Sequence, residues 1–330
     1  GRFDETFLDV PADVIVEAMR THQRYFPVRT QTGELRPAFV TISNRTAEQD
    51  PVVREGNERV LRARLEDARF FWDEEKDADL GRLVDRLKDV LFLGGLGSNY
   101  DRALRLQTES ERITQTMALA PETVQTAREA GKLAKADLVT GLVGEFPGLQ
   151  GVVGREIALH QGLSAALAEA LAEHYRPRFA GDGLPETDIG IAVSLADKLD
   201  VIVGCFSLDL IPSGSQDPYA LRRNALGILR ILSEKQLELP LDELIGMVLD
   251  AYDITDADRR EPLSGKVIGF FKDRLTQFAL DQDYGHDLLR AVMATGLRTL
   301  PDFWTRLTSV QRCSEEPWWP GLVEVVERTW

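Results

Sequence analysis

From Asn57 onward, apolar residues recur every three or four positions, and that period commits most of the chain to helix. Leu61, Leu65, Ala68 and Trp72 fall at spacings of four, three and four, one stripe along one side of a helix. Arg59, Arg62, Glu66 and Arg69 fall on the opposite side. The same period predicts helices over 102–119, 121–133 and 137–143, and another from Ser164 as N-cap to Tyr175 with Leu167, Leu171 and His174 or Tyr175 along it. A strongly apolar helix is expected over 191–206, with Leu195, Leu199, Ile202 and Phe206 on one face. Asp217 as N-cap with Pro218 at N1 predicts a helix that buries Leu221, Ala225, Ile228 and Leu232. Helices over 241–252, 262–278 and 287–295 and two near the end complete the pattern, the last pair parted by Glu316-Pro317-Trp318-Trp319-Pro320.

The first 55 residues read differently. Strand-like runs at 7–10, 25–28 and 38–42 accompany a turn at Thr32-Gly33-Glu34, and a helix is expected over 12–21 with Pro11 at an N1-like position. Residues 88–97 form an apolar segment ending in Gly94-Gly95 and Gly97, a connector or a helix end. The expected class is therefore mainly α: an α+β piece at 1–55, a helical connector at 56–99, a helical domain at 100–238 and a helical linker domain at 239–330.

No stretch approaches the roughly 18 apolar residues of a membrane span. Cys205 and Cys313 stand far apart, outside any metal-spaced pair, which suits a reducing cytoplasm. The start, Gly1-Arg2-Phe3-Asp4, and the end at Trp330, directly after a helical pattern, read as cuts in a longer protein. The net charge of −15 opposes nucleic-acid binding taken alone, but its distribution is uneven. Residues 20–69 carry ten Arg and no Lys against seven Asp and Glu, a net of +3 that includes Arg45. Such a segment is either a phosphate-binding face or a solvated surface with internal ion pairs.

Catalytic constellations are missing from the sequence. It has no phosphate-binding glycine loop, no Gly-x-Ser-x-Gly elbow, and its four histidines (His22, His160, His174 and His286) lack metal-ligand spacing. Lys135-Ala136-Asp137-Leu138 resembles the helix that carries the His-Asp doublet of HD-type phosphohydrolases, and Ala196-Asp197-Lys198-Leu199 resembles the later helix with their last metal-binding Asp. Here Ala136 stands where the doublet's His would be, and Asp137 and Asp197 without imidazole partners make a poor metal site. The expectation is an HD-like fold without its metal, with plain helices and an accidental Asp pair as the alternative. Asp197 and Asp200 are expected to be structural, paired with an arginine such as Arg155 or Arg222.

Six longer segments, in order, resemble the bacterial glycyl-tRNA synthetase β-subunit family. They are Met19-Arg20-Thr21-His22-Gln23-Arg24-Tyr25-Phe26-Pro27-Val28; Gly56-Asn57-Glu58-Arg59-Val60-Leu61-Arg62 running to Phe71; Lys135-Ala136-Asp137-Leu138 with Val143-Gly144-Glu145-Phe146-Pro147-Gly148 running to Gly151; Glu173-His174-Tyr175-Arg176-Pro177-Arg178-Phe179 running to Asp182; Ala196-Asp197-Lys198-Leu199-Asp200; and Ser213-Gly214-Ser215-Gln216-Asp217-Pro218-Tyr219 running to Arg223. The resemblance implies an internal piece of the β subunit of a cytoplasmic α2β2 enzyme that joins glycine to its tRNA. The family's N-terminal domains and C-terminal anticodon-binding domain would lie outside that piece. The α subunit would hold the aminoacylation site and use ATP and Mg, and this piece would have no catalytic residue, metal or cofactor of its own. Its partners would be glycine tRNA and the α subunit, with no membrane.

On that reading, the candidate tRNA contacts are Arg176 and Arg178 in the loop after the His174 helix, Arg222 and Arg223 at the start of the helix after Asp217, and the Arg59, Arg62 and Arg69 face. Arginine's planar fork donates two hydrogen bonds to a phosphate. The glycine-rich loop 178–183 would let backbone approach a ligand, and the Ser213-Gly214-Ser215 turn would leave helix N–H groups free for an anion. The competing reading has these arginines pairing with Asp or capping helices. A divalent-metal HD phosphohydrolase and a purely structural helical scaffold are the alternative functions.

Overall fold

The computed structural model describes residues 1–44, 50–214 and 216–329; Arg45 of the arginine-rich run and Ser215 of the turn before Asp217 lie outside them. The chain divides into two compact units, one of Gly1–Leu104 with Glu129–Tyr175, the other of Arg105–Arg128 with Arg176–Trp330. Both are built mainly of α-helix.

The first unit opens with a 3-10 turn at Glu5–Asp9, then α1 (Ala12–Gln23) and the antiparallel hairpin β1 (Phe26–Arg29) and β2 (Leu35–Val40). Gly33, at φ +90°, supplies the left-handed residue of the hairpin turn. The strand-like run at 7–10 is thus mostly helical. Asp4 causes this: its carboxylate accepts from the Thr6 amide at 2.9 Å and starts a turn that tucks Phe7 inward. Pro11 caps α1 with extended backbone rather than opening it.

α2 (Asp50–Glu75) carries the arginine-rich stripe. Leu61, Leu65, Ala68 and Trp72 are all buried on it, and α1 packs against it. At roughly 1.5–3 kcal/mol for each fully buried large apolar side chain, that stripe is a principal anchor of the unit. α3 (Leu80–Arg86) leads to a short hairpin, β3 (Leu91–Leu93) with β4 (Gly97–Ser98), where a connector or helix end is expected. Gly95 at φ +95° makes that turn possible.

α4 (Asn99–Thr116) and α5 (Pro121–Leu133) follow, with residues 105–128 of this stretch belonging to the second unit. The predicted helix over 137–143 is broken in two: a 3-10 turn at Ala136–Val139, then α6 (Gly141–Glu145), with the Thr140 hydroxyl capping the Val143 amide. α7 (Val152–His160) and α8 (Ala165–Glu173) complete the unit, and Ser164 caps α8 through the Leu167 amide.

The second unit is organised around α9 (Asp188–Ser207). The sequence predicts one buried face for this helix. In the fold nearly every residue from Ile189 to Phe206 is buried, because α10 (Leu221–Glu234), α11 (Leu241–Ala251) and α12 (Ala257–Leu280) all pack on it. Its polar residues are therefore inside and must be satisfied there. The Ser194 hydroxyl donates to the Arg176 carbonyl at 2.6 Å, and the Lys198 ammonium reaches the same carbonyl at 2.8 Å and the Ser194 hydroxyl at 2.9 Å. α13 (His286–Ala294), α14 (Leu300–Ser314) and α15 (Trp319–Thr329) finish the chain. No helix among the described residues is long and apolar enough to cross a membrane.

Candidate nucleic-acid interface

The loop after Arg176 is tightly built. The Asp182 carboxylate accepts from the amides of Arg178 at 2.7 Å and Gly183 at 2.9 Å, and the Asp182 amide returns to the Phe179 carbonyl at 3.0 Å. Arg230 on α10 donates to the carbonyls of Ala180 at 2.8 Å and Asp182 at 3.0 Å. These backbone groups are thus engaged within the fold, and the loop presents the Phe179 ring, 59% exposed, in place of open backbone.

The start of α10 departs from the expected cap. Ala220, in the left-handed region at φ 55°, is the N-cap, and Pro218 lies in the turn before it. Asp217 still caps, but from further back: its two carboxylate oxygens accept from the amides of Leu221 at 2.7 Å and Arg222 at 2.9 Å. Those N–H groups are the ones expected to be free for an anion, and the chain's own carboxylate holds them.

The arginines at this helix start face a cavity of about 310 Å³ within the second unit. Arg222 and Arg223 line it together with Phe179 from the loop and Arg274, Phe278 and Asp281 from α12. Three guanidinium groups against one carboxylate make it electropositive. Arg176 and Arg178 are not among its lining residues. Arg176 adds to the field of Lys235, whose hydrogen bond and charge hold the Glu186 carboxyl below its ordinary range. Sequence reasoning passes over Phe179, Arg274 and Phe278. A signal exists: Phe179 is the one large apolar residue in the polar run 178–183, and Arg274, Phe278 and Asp281 recur at helical spacing.

The other arginine face belongs to the first unit. Arg59 and Arg62 are exposed on α2 without an ion-pair partner among the described residues, and the Arg69 guanidinium sits 4.5 Å over the Phe7 ring. Arg64, by contrast, pairs with Glu145 at 3.0 Å.

The residues likened to a metal doublet have other duties. Ala136 is buried on its 3-10 turn, and the buried Asp137 accepts from the amides of Gly151 at 2.6 Å and Gly154 at 3.3 Å. Burial pushes the Asp137 carboxyl up to about 6, against the opposing pull of those amides and of Lys135. Beside it, His174 Nδ1 donates to the Leu171 carbonyl at 2.7 Å, which leaves Nε2 to accept from the Lys135 ammonium at 2.9 Å. The same ammonium lies 3.9 Å from the centre of the Tyr175 ring. Asp197 is buried on α9. Asp200 pairs with Arg105, not with Arg155 or Arg222; Arg155 instead holds Asp13 and Glu156. Among the described residues no three His, Cys, Asp or Glu side chains gather as metal ligands would.

A family model described as glycyl-tRNA synthetase beta subunit matches residues 1–294. The glycine–tRNA ligase beta subunit of Geotalea uraniireducens (strain Rf4) is 43% identical over 328 residues, covering 99% of this chain and 47% of that protein. That of Geobacter sp. (strain M21) is 46% identical over 303 residues, covering 91% of this chain and 43% of that protein. That of Clostridioides difficile (strain 630) is 42% identical over 316 residues, covering 96% and 46%. The chain spans a little under half the length of these relatives. It belongs to the glycyl-tRNA synthetase beta-subunit family.

Proposed function

We propose that this chain is the part of a glycine–tRNA ligase β subunit that engages glycine tRNA, in a cytoplasmic α2β2 enzyme whose α subunit carries the ATP- and Mg-dependent chemistry. The family match over residues 1–294 carries this reading. The electropositive cavity at Arg222, Arg223 and Arg274 supports a contact with the phosphate backbone, because a guanidinium donates to phosphate in paired fashion. The 100–238 region is read as an HD-like fold without its metal, in which Ala136, Asp137 and Asp197 are the degenerate positions and Asp137 holds backbone amides instead. The test is steady-state aminoacylation by the assembled enzyme. Replacing Arg222 and Arg223 together by Gln raises KM for glycine tRNA about tenfold, the equivalent of about 1.4 kcal/mol, and leaves KM for ATP in place. An unchanged KM for tRNA would remove these arginines from the RNA path.

A further inference from the structure

We propose that the cavity between Phe179, α10 and α12 receives one unpaired nucleotide of the bound tRNA, its base stacked on Phe179 and its phosphate held by Arg222, Arg223 and Arg274. The inference rests on the tRNA reading above and adds to it the form of RNA taken and the residue that reads it.

Four observations converge on this pocket. Its volume, about 310 Å³, lies at the lower end of the roughly 300–1,000 Å³ range of small-ligand pockets, room for one nucleotide and not for a duplex. Phe179 stands 59% exposed on a loop that Asp182 and Arg230 hold in shape, so the ring is a pre-positioned platform. Arg274 Nε is buried with no acceptor within hydrogen-bond reach among the described residues, a donor whose desolvation a phosphate oxygen would offset. Arg223 has no ion-pair partner among the described residues, and Arg222 has only a long 3.4 Å bond to the Gln216 carbonyl.

An aromatic face beside a cluster of guanidinium groups is how proteins hold single strands, because every base has a π-face to stack while a duplex hides its faces within the helix. The single acid, Asp281, is oriented by a 2.9 Å hydrogen bond from Gln277. A carboxylate there suits the exocyclic amine of a base and repels a phosphate, which places the phosphate towards the arginines and the base edge towards α12.

The experiment measures binding of transcribed glycine tRNA to the assembled α- and β-subunit enzyme across a salt series, for wild type and three β-subunit variants. Phe179→Ala weakens binding about 5- to 100-fold with an unchanged salt slope, since stacking carries no counterion release. Phe179→Trp keeps wild-type affinity and adds a tryptophan fluorescence quench on tRNA addition beyond any from the chain's own five tryptophans, among them Trp304 against Phe278. Arg274→Gln makes the salt slope shallower by about one. Melting temperatures are taken for all three, and affinity is compared only among variants that melt with wild type; Phe179, being exposed, keeps the comparison open if Arg274→Gln does not fold. If wild type binds tRNA and Phe179→Ala and Phe179→Trp match it with no quench in excess of wild type's, the inference is overturned while the tRNA reading stands. If Phe179→Ala weakens α–β association and not tRNA binding, the pocket takes a protein segment and the inference is likewise overturned. If wild type does not bind glycine tRNA at all, both readings fall together.

Discussion

Arg105 grips Asp200 through two hydrogen bonds, Nε to Oδ1 at 2.6 Å and Nη2 to Oδ2 at 3.3 Å, at a carboxylate with no exposed surface. The Tyr252 ring lies 4.2 Å from the guanidinium, and its hydroxyl donates to the Asp200 carbonyl at 3.2 Å. Burial and the nearby Asp200 charge raise the Tyr252 hydroxyl far above its ordinary range, so it remains a donor. Removing one partner of a buried pair strands the other, so Arg105→Ala should cost about 3–5 kcal/mol in urea unfolding. Arg105→Lys should recover only part of that, because lysine lacks the two-pronged fork. An unchanged unfolding midpoint for Arg105→Ala would contradict the pairing.

Asp137 makes stability depend on pH in the less common direction. Its folded carboxyl sits at about 6 against an ordinary 3.8, so the native state holds the proton more tightly than the unfolded chain. Its contribution is greatest below the unfolded value and declines as pH rises through about 6, by on the order of 3 kcal/mol. Asp137→Asn keeps an oxygen for the Gly151 and Gly154 amides and should flatten this decline, closing the gap to wild type or passing it at pH 8. Asp137→Ala leaves both amides without an acceptor and should destabilise at every pH. Urea midpoints at pH 5 and pH 8 separate these cases; a parallel pH profile for wild type and Asp137→Asn would sink the argument.

Two glycines should respond oppositely to alanine. Gly151 has φ +84°, and a Cβ there would lie 2.7 Å from the Leu171 carbonyl oxygen, so Gly151→Ala should cost more than about 2 kcal/mol. Gly265, exposed on α12, has nothing within 4 Å of an added Cβ, so Gly265→Ala should stabilise by up to about 1 kcal/mol. Thermal melts of the two variants check the pair, and a stable Gly151→Ala protein would contradict the backbone geometry described for that turn.

What was legible in the sequence was periodic and local. The α2 stripe, the Ser164 cap and the apolar side of α10 are where spacing alone puts them, because each depends on neighbours within a turn or two. The strand-like run at 7–10 misleads because one capping carboxylate, Asp4, outweighs the preference of four residues. At α10, the left-handed Ala220 moves the helix start three residues beyond Asp217 without removing the cap. The Arg105 partner of Asp200 lies 95 residues away, and no local pattern encodes it. The same holds for the cavity, where Phe179, Arg222 and Arg274 come from three separate segments and meet only in the folded unit.

The proposed contact of Arg222 and Arg223 with tRNA phosphate is decided by the salt dependence of binding. Glycine tRNA is titrated onto the full-length β subunit with its α partner at several salt concentrations, for wild type and for the Arg222→Gln, Arg223→Gln double variant. Binding by the double variant should be weaker, with a log–log slope shallower by about two, one for each guanidinium removed from a phosphate. Unchanged affinity and slope together with a lowered melting temperature would show that these arginines serve the fold and that the RNA path lies elsewhere.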